Sequence, residues 1–102
     1  MHTFQVDITL PPEIDHLKLD IERFIMEMVA KLFYHRGKGH WEDITVDQAY
    51  DMMSEEMIEL IDVIENGSHQ DVHREAADVA NYALILSSVL RRDQLELNLD
   101  DK

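Results

Sequence analysis

The chain has 102 residues, and its 22 Asp and Glu against 9 Lys and Arg give a formal net charge of −13. This length fits one small domain spanning residues 1–102, and the acidic balance opposes binding to nucleic-acid backbones or anionic membranes. The absence of cysteine excludes disulfides and thiolate metal sites and is compatible with a cytoplasmic setting. No signal-peptide pattern opens the chain, and no apolar stretch reaches the ~20 residues of a membrane span. We therefore expect a soluble, cytoplasmic protein.

Apolar and polar residues alternate near both ends of the chain. The apolar members are Phe4, Val6, Ile8 and Leu10 before Pro11 and Pro12, and Leu95, Leu97 and Leu99 at the other end. A period of two is typical of a strand. The pattern predicts short extended segments at the two termini.

Between these ends the sequence predicts three helices and an all-α bundle. Apolar residues recur at three- and four-residue steps over about 13–35, after which Gly37 and Gly39 end the first helix. The second helix covers about 45–65, with Thr45 and Gln48 in a capping-box pattern. The third helix covers about 68–92, where two arginines suit the negative end of the helix dipole.

The third helix is apolar or small on nearly all sides. Such a helix is normally buried all round, which two companion helices of a short chain do not easily achieve. We therefore expect a homodimer or homotetramer with this helix near its centre.

Carboxylates interrupt the apolar faces of the second and third helices. On a helical projection Glu56 falls inside the apolar arc of the second helix and Glu59 at its edge, whereas Glu55 faces solvent. Glu75 and Asp78, one turn apart, project among apolar residues of the third helix. Any one such pair could be an ordinary solvated face. Two pairs flanking a single turn predict four carboxylates at one seam between helices.

A cluster of four buried carboxylates is unfavourable unless a cation is present, because each charge loses hydration and repels its neighbours. Oxygen ligands alone favour a hard ion, Mg²⁺ or the substitute Mn²⁺, over zinc or copper. An octahedral ion held by two pairs of acids also keeps open positions that phosphate oxygens can occupy. The cluster is therefore predicted to be a divalent-metal site.

These residues resemble the EExxE…ExxD motif of MazG-like all-α nucleoside triphosphate pyrophosphohydrolases. The motif is read in Glu55-Glu56-Met57-Ile58-Glu59 and, fifteen residues later, in Glu75-Ala76-Ala77-Asp78. The flanking Gly39-His40-Trp41-Glu42 and Val79-Ala80-Asn81-Tyr82-Ala83 are also similar to smaller members of that family. The similarity extends over roughly residues 31–90, most of the chain.

The resemblance implies Mg²⁺-dependent cleavage of a (deoxy)nucleoside triphosphate to the monophosphate and pyrophosphate, as nucleotide-pool housekeeping. It assigns the metal ligands to Glu56, Glu59, Glu75 and Asp78. Glu55, or a ligand carboxylate such as Glu56 or Glu59, would orient or deprotonate the attacking water. Which of these acids is the base stays open at this point.

The region before the second helix contains the residues predicted to contact the substrate. Residues 31–41 contain no acid, and Lys31, Arg36 and Lys38 could contact phosphates. Lys31 and Arg36 could equally serve only the dipole of the first helix. Trp41 could stack on a base or fill a core.

Two further candidates follow the acidic motif. The resemblance makes Asn81 and Tyr82 candidates for sugar or base contacts, while Asn81 could instead hydrogen-bond across a helix interface.

The competing class of function is a non-enzymatic acidic helical protein, either a DNA mimic or an interaction module. A DNA mimic exposes its acidic side chains to solvent, whereas the helical positions of Glu56 and Glu75 place them on the apolar, inward faces of their helices.

Overall fold

The computed structural model describes residues 4–34 and 43–100, with side chains described up to residue 94. A 3-10 helix, Pro12–Leu17, leads into α1, Lys18–Tyr34. Two longer helices follow, α2 (Val46–Asn66) and α3 (His69–Asp100). No strand occurs in these described ranges, so the all-α prediction is confirmed.

The N-terminal segment does not form the predicted strand. Residues 4–11 adopt neither helix nor strand and are held near α1, where the Ile8 N–H donates to Glu22 Oε2 at 3.2 Å. The first helix also begins differently from the prediction, because Pro12 opens a 3-10 helix in which the Ile14 N–H donates to the Pro11 carbonyl at 3.1 Å. The regular α-helix starts only at Lys18.

The predicted C-terminal extended segment is wrong. Leu95, Leu97 and Leu99 belong to α3, which continues through Asp100 instead of ending near Arg92. The physical reason is that no glycine or proline interrupts the sequence after Gly67, so a continuing helix loses no hydrogen bond. No helix in the described ranges combines the length and apolar character needed to cross a bilayer.

The predicted start of α2 is confirmed in atomic detail, and a glycine explains its end. Thr45 Oγ1 accepts the Gln48 N–H at 3.1 Å, and Gln48 Oε1 accepts the Thr45 N–H at 3.0 Å, which completes a capping box. At the other end the Gly67 N–H donates to the Val63 carbonyl at 2.8 Å. A Cβ atom on Gly67 would lie 2.9 Å from both the Cβ and the carbonyl oxygen of Val63, so the close approach requires glycine.

A two-residue connection folds α2 back onto α3 as a helical hairpin. Ser68 and Asp71 cap α3 reciprocally, with the Ser68 N–H donating to Asp71 Oδ2 at 3.2 Å and the Asp71 N–H to Ser68 Oγ at 3.1 Å. Near the open end of the hairpin Ala49 packs with Ile85 and Val89 in the buried core. The start of α2 therefore meets the middle of α3, and the end of α2 meets its beginning.

Helix α1 packs on α3 as well, and a buried amide joins the two. The side chain of Asn81 is buried, and its Nδ2 donates to the Met28 carbonyl of α1 at 3.1 Å. Ala77, one turn earlier, is fully buried. Helices α1 and α2 thus pack together on one side of α3.

The opposite half of α3 is not enclosed by the described residues. Ala83, Leu84, Ser87 and Leu90 are exposed along this side. A helix apolar on nearly all sides is therefore present, but residues 4–34 and 43–94 of one chain do not bury it all round. The predicted oligomer centred on this helix stays a prediction.

Candidate metal centre

Three carboxylates from two helices meet at the seam between α2 and α3. Glu56 comes from α2, and Glu75 and Asp78 come from α3, where a spacing of three residues puts them on the same face. One oxygen from each lies within 4.8 Å of the other two. The hairpin creates this meeting because it sets the second half of α2 against the first half of α3.

Two of these carboxylates are only partly satisfied. The Oε2 atoms of Glu56 and Glu75 are buried and have no hydrogen-bond partner. A buried carboxylate oxygen without a donor is costly, because it has lost water and gained nothing in return. The arrangement thus has unused capacity to bind a positively charged group.

The electrostatics of the cluster match this shortage of positive charge. Burial raises the pKa of Glu56 to about 8, with further contributions from a hydrogen bond to Glu59 and from the charges of Glu59 and Asp78. Burial also raises the pKa of Glu75, opposed mainly by its hydrogen bond with Glu56. Near neutral pH, therefore, the protonated, uncharged form of the Glu56 carboxyl group is favoured.

One cation of the chain already touches the cluster. Lys31 Nζ of α1 lies 3.0 Å from Asp78 Oδ2, and the two side chains are only 23% and 19% exposed. The sequence predicts a phosphate contact for Lys31 but not its ion pair with Asp78. No sequence signal could have done so, because the two residues are 47 positions apart and meet only when α1 packs on α3.

The two remaining acids of the motif lie outside the three-carboxylate group. Glu59 is exposed, although it reaches Glu56 closely enough to hydrogen-bond with it. Glu55 is exposed as well, in agreement with its predicted orientation. The structure therefore brings together three of the four predicted ligands, with Glu59 at the margin.

The two predicted substrate residues after the motif have different surroundings. Tyr82 is half-buried and packs against the core of Ala49, Ile85 and Val89, and its burial and then the charges of Glu56 and Asp78 raise its pKa. Asn81 makes the cross-helix hydrogen bond that was its alternative role, and its Oδ1 has no partner. Tyr82 thus feels the charges of the carboxylates while it packs against the core, and its substrate contact stays a prediction, whereas Asn81 holds α1 against α3.

Arg36, Lys38 and Trp41 lie outside the described residues, and their predicted substrate contacts stay predictions.

An open groove lies elsewhere on the molecule. It has a volume of about 720 Å³, and it is lined by Phe4, Asp20, Arg23, Phe24, Met26, Glu27, Ala30 and His73. None of the three carboxylates lines it, so the groove and the candidate metal centre are separate features.

The chain matches no protein-family model, no curated protein and no solved structure. The resemblance to MazG-like enzymes therefore rests on the motif residues and their spacing.

Proposed function

We propose that this protein is a cytoplasmic, Mg²⁺-dependent nucleoside triphosphate pyrophosphohydrolase of the MazG-like type. It would hydrolyse a (deoxy)nucleoside triphosphate between the α and β phosphates and control the nucleotide pool. The observation that supports the proposal best is the convergence of Glu56, Glu75 and Asp78 from two helices on one point. The spacing of these residues is also that of the family's motif.

The donor set fits a hard divalent cation. Octahedral Mg²⁺ with ligands at about 2.1 Å places its ligand oxygens roughly 3–4 Å apart. The three carboxylates have oxygens within 4.8 Å of one another and would hold such an ion between them. The unpartnered Oε2 atoms of Glu56 and Glu75 would gain the interaction they lack. Mn²⁺ has the same preference for oxygen and is the expected substitute.

In the proposed reaction one water molecule is consumed at the bond between the α and β phosphates. Its oxygen ends on one of the two phosphates, and pyrophosphate and the monophosphate separate. When bound, Mg²⁺ would lower the pKa of this water and offset charge on the phosphates. Glu59, an exposed acid that interacts with Glu56, would accept the proton that the water loses, and the exposed Glu55 is the alternative.

Cationic residues would hold the phosphate chain against the repulsion of a protein with a net charge of −13. Lys31 lies beside the carboxylates in its ion pair with Asp78, and it would bind a phosphate oxygen in place of Asp78 when a metal ion supplies the positive charge there. Arg36 and Lys38 would supply further contacts. Tyr82 and Trp41 would contact the sugar and base, and the charges of Glu56 and Asp78 already act on Tyr82.

The test is to incubate the purified protein with each nucleoside triphosphate and Mg²⁺ and to separate the products by anion-exchange chromatography. We expect equal amounts of monophosphate and pyrophosphate, with no diphosphate. Glu56→Gln and Asp78→Asn should abolish turnover without loss of helical circular dichroism, and Glu65→Gln, an exposed acid of the same helix, is the matched control. Full activity in both site variants would refute the assignment. Inactivity of the wild type with every nucleotide would favour the non-enzymatic acidic protein.

A further inference from the structure

Helix α1 brings a positive charge to the candidate metal centre. The three carboxylates lie on α2 and α3, which a two-residue connection joins into a hairpin, whereas Lys31 lies on α1. Lys31 Nζ is 3.0 Å from Asp78 Oδ2, and both side chains are largely buried. The position of this ammonium group therefore depends on how α1 packs on α3.

Apolar packing alone does not give α1 a single orientation on α3. No residue of α1 is fully buried. Its half-buried face carries apolar residues at three- and four-residue steps, namely Ile21, Ile25, Met28, Val29 and Leu32. Such a stripe presents one apolar side chain after another, so a small rotation or slide of the helix replaces one apolar contact by a similar one. A directional contact is needed to fix α1.

Asn81 makes a directional contact of this kind. Among the described side chains it is the only polar one that is buried as a whole, at 5% exposure, and its Nδ2 donates to the Met28 carbonyl at 3.1 Å. Met28 lies three positions before Lys31 on α1, and Asn81 lies three positions after Asp78 on α3. Because residues three apart share a helix face, the Asn81 hydrogen bond and the ion pair lie one turn apart in the same contact. Together they fix both the rotation and the position of α1.

The second polar atom of Asn81 indicates that this residue contributes more to position than to stability. Its Oδ1 is buried and has no partner. The free energy gained by the hydrogen bond to Met28 is therefore offset by an acceptor that has lost water. Leucine has a similar branched shape and neither polar atom, so a chain with leucine at this position should be about as stable. It would lack only the directional contact.

We propose that Asn81 positions Lys31 at the metal centre by docking α1 on α3, and that it thereby sets the affinity of the centre for its cation. With α1 docked, the ammonium group stays on Asp78 and competes with a divalent ion for that carboxylate. Without the Asn81 hydrogen bond, Lys31 leaves Asp78 and the ion meets less competition. The positioning of Lys31 is independent of the proposed function, whereas the effect on metal affinity rests on it.

The first experiment is urea denaturation in EDTA and needs no metal. Lys31→Met, Asp78→Asn and the double variant form a cycle that isolates the coupling of the ion pair. We expect a coupling of about three- to fivefold in the unfolding equilibrium constant of the wild type, and of no more than about 1.5-fold when the cycle is repeated with Asn81→Leu or Asn81→Ala. Leucine fills the site and alanine leaves space, so a shared effect comes from the lost donor.

Val89→Ala is the matched control, because Val89 is a buried residue of the same helix that packs with Ala49 of α2. It should lower the melting temperature and leave the coupling of the ion pair intact. Coupling that survives in either Asn81 variant would overturn the proposal. So would coupling that is absent from the wild type or that Val89→Ala also abolishes.

The second experiment measures the affinity for Mn²⁺ by calorimetry. Asn81→Leu should raise this affinity about fivefold when Lys31 is present. It should leave the affinity unchanged in the Lys31→Met background, which has no ammonium group to release. A change of equal size in both backgrounds would show that Asn81 acts through general packing and would overturn the proposal. Absence of saturable Mn²⁺ binding in every variant would refute the proposed function and the effect on metal affinity, while the urea cycle decides whether Asn81 positions Lys31.

Discussion

Replacement of Glu56 by Gln should stabilise the metal-free protein in alkaline solution. Glu56 has an ordinary pKa of 4.5 that the folded protein raises to about 8, because the carboxyl group is buried next to other acids. The folded chain therefore binds this proton more tightly than the unfolded chain does. By linkage the free energy of unfolding is undiminished below about pH 4.5 and falls as pH rises towards 8. A glutamine has no such proton, so the variant lacks this loss.

The size of the effect follows from the two pKa values. The interval between 4.5 and about 8 corresponds to an upper bound of roughly 5 kcal/mol. Since the side chain is partly exposed, solvent screening reduces this to about 1–2 kcal/mol. We expect Glu56→Gln to be more stable than the wild type by about that amount near pH 8 in EDTA, and by a few tenths of a kcal/mol near pH 5.

The assay is urea denaturation followed by circular dichroism at about pH 5 and pH 8, at one protein concentration and with EDTA present. Glu65→Gln is the control, because Glu65 is exposed and its replacement should shift stability equally at the two pH values. Destabilisation by Glu56→Gln near pH 8, or a difference from the wild type that does not change with pH, would show that the buried-carboxylate reasoning is incorrect.

Three further variants test other parts of the structure. Lys31→Met should raise metal affinity roughly tenfold in calorimetry, because it removes a cation that competes for Asp78 and repels the ion; unchanged affinity would argue against the competition. Gly67→Ala should lower the free energy of unfolding by about 1–3 kcal/mol in urea, because the added Cβ has no room; wild-type stability would contradict this close contact. Arg36→Ala with Lys38→Ala should raise KM for the triphosphate with little change in kcat; an unaltered KM would remove both from the site.

Local signals in the sequence predicted the helices well where capping residues occur. Thr45 with Gln48 identifies the start of α2 because two side chains satisfy backbone N–H groups, and this depends only on near neighbours. Predictions from the alternation of apolar and polar residues are wrong at both termini, where the structure has no strand. The alternating leucines after residue 94 suggest a strand, but the helix that precedes them continues through them in the absence of a glycine or proline.

The candidate site was predictable as far as helical phase determines it. Glu56, Glu75 and Asp78 were predicted to face a common seam, and the hairpin brings them together. Helical phase alone does not determine how far a side chain at the edge of an apolar arc reaches. The sequence therefore predicts Glu59 as a fourth metal ligand, whereas the structure places it at the margin of the three clustered carboxylates. The Lys31–Asp78 ion pair depends on how α1 packs against α3, which periodicity does not specify.

Calorimetric titration of the full-length protein with Mg²⁺, and with Mn²⁺ in parallel, tests the central claim most directly. The account predicts saturable binding at about pH 8 that weakens as pH is lowered, because the ion must displace the proton held by Glu56. The same titration of Asp78→Asn should show at least a tenfold loss of affinity. Absence of saturable binding to the wild type, or equal binding to Asp78→Asn, would contradict the metal centre and the hydrolase proposed on it.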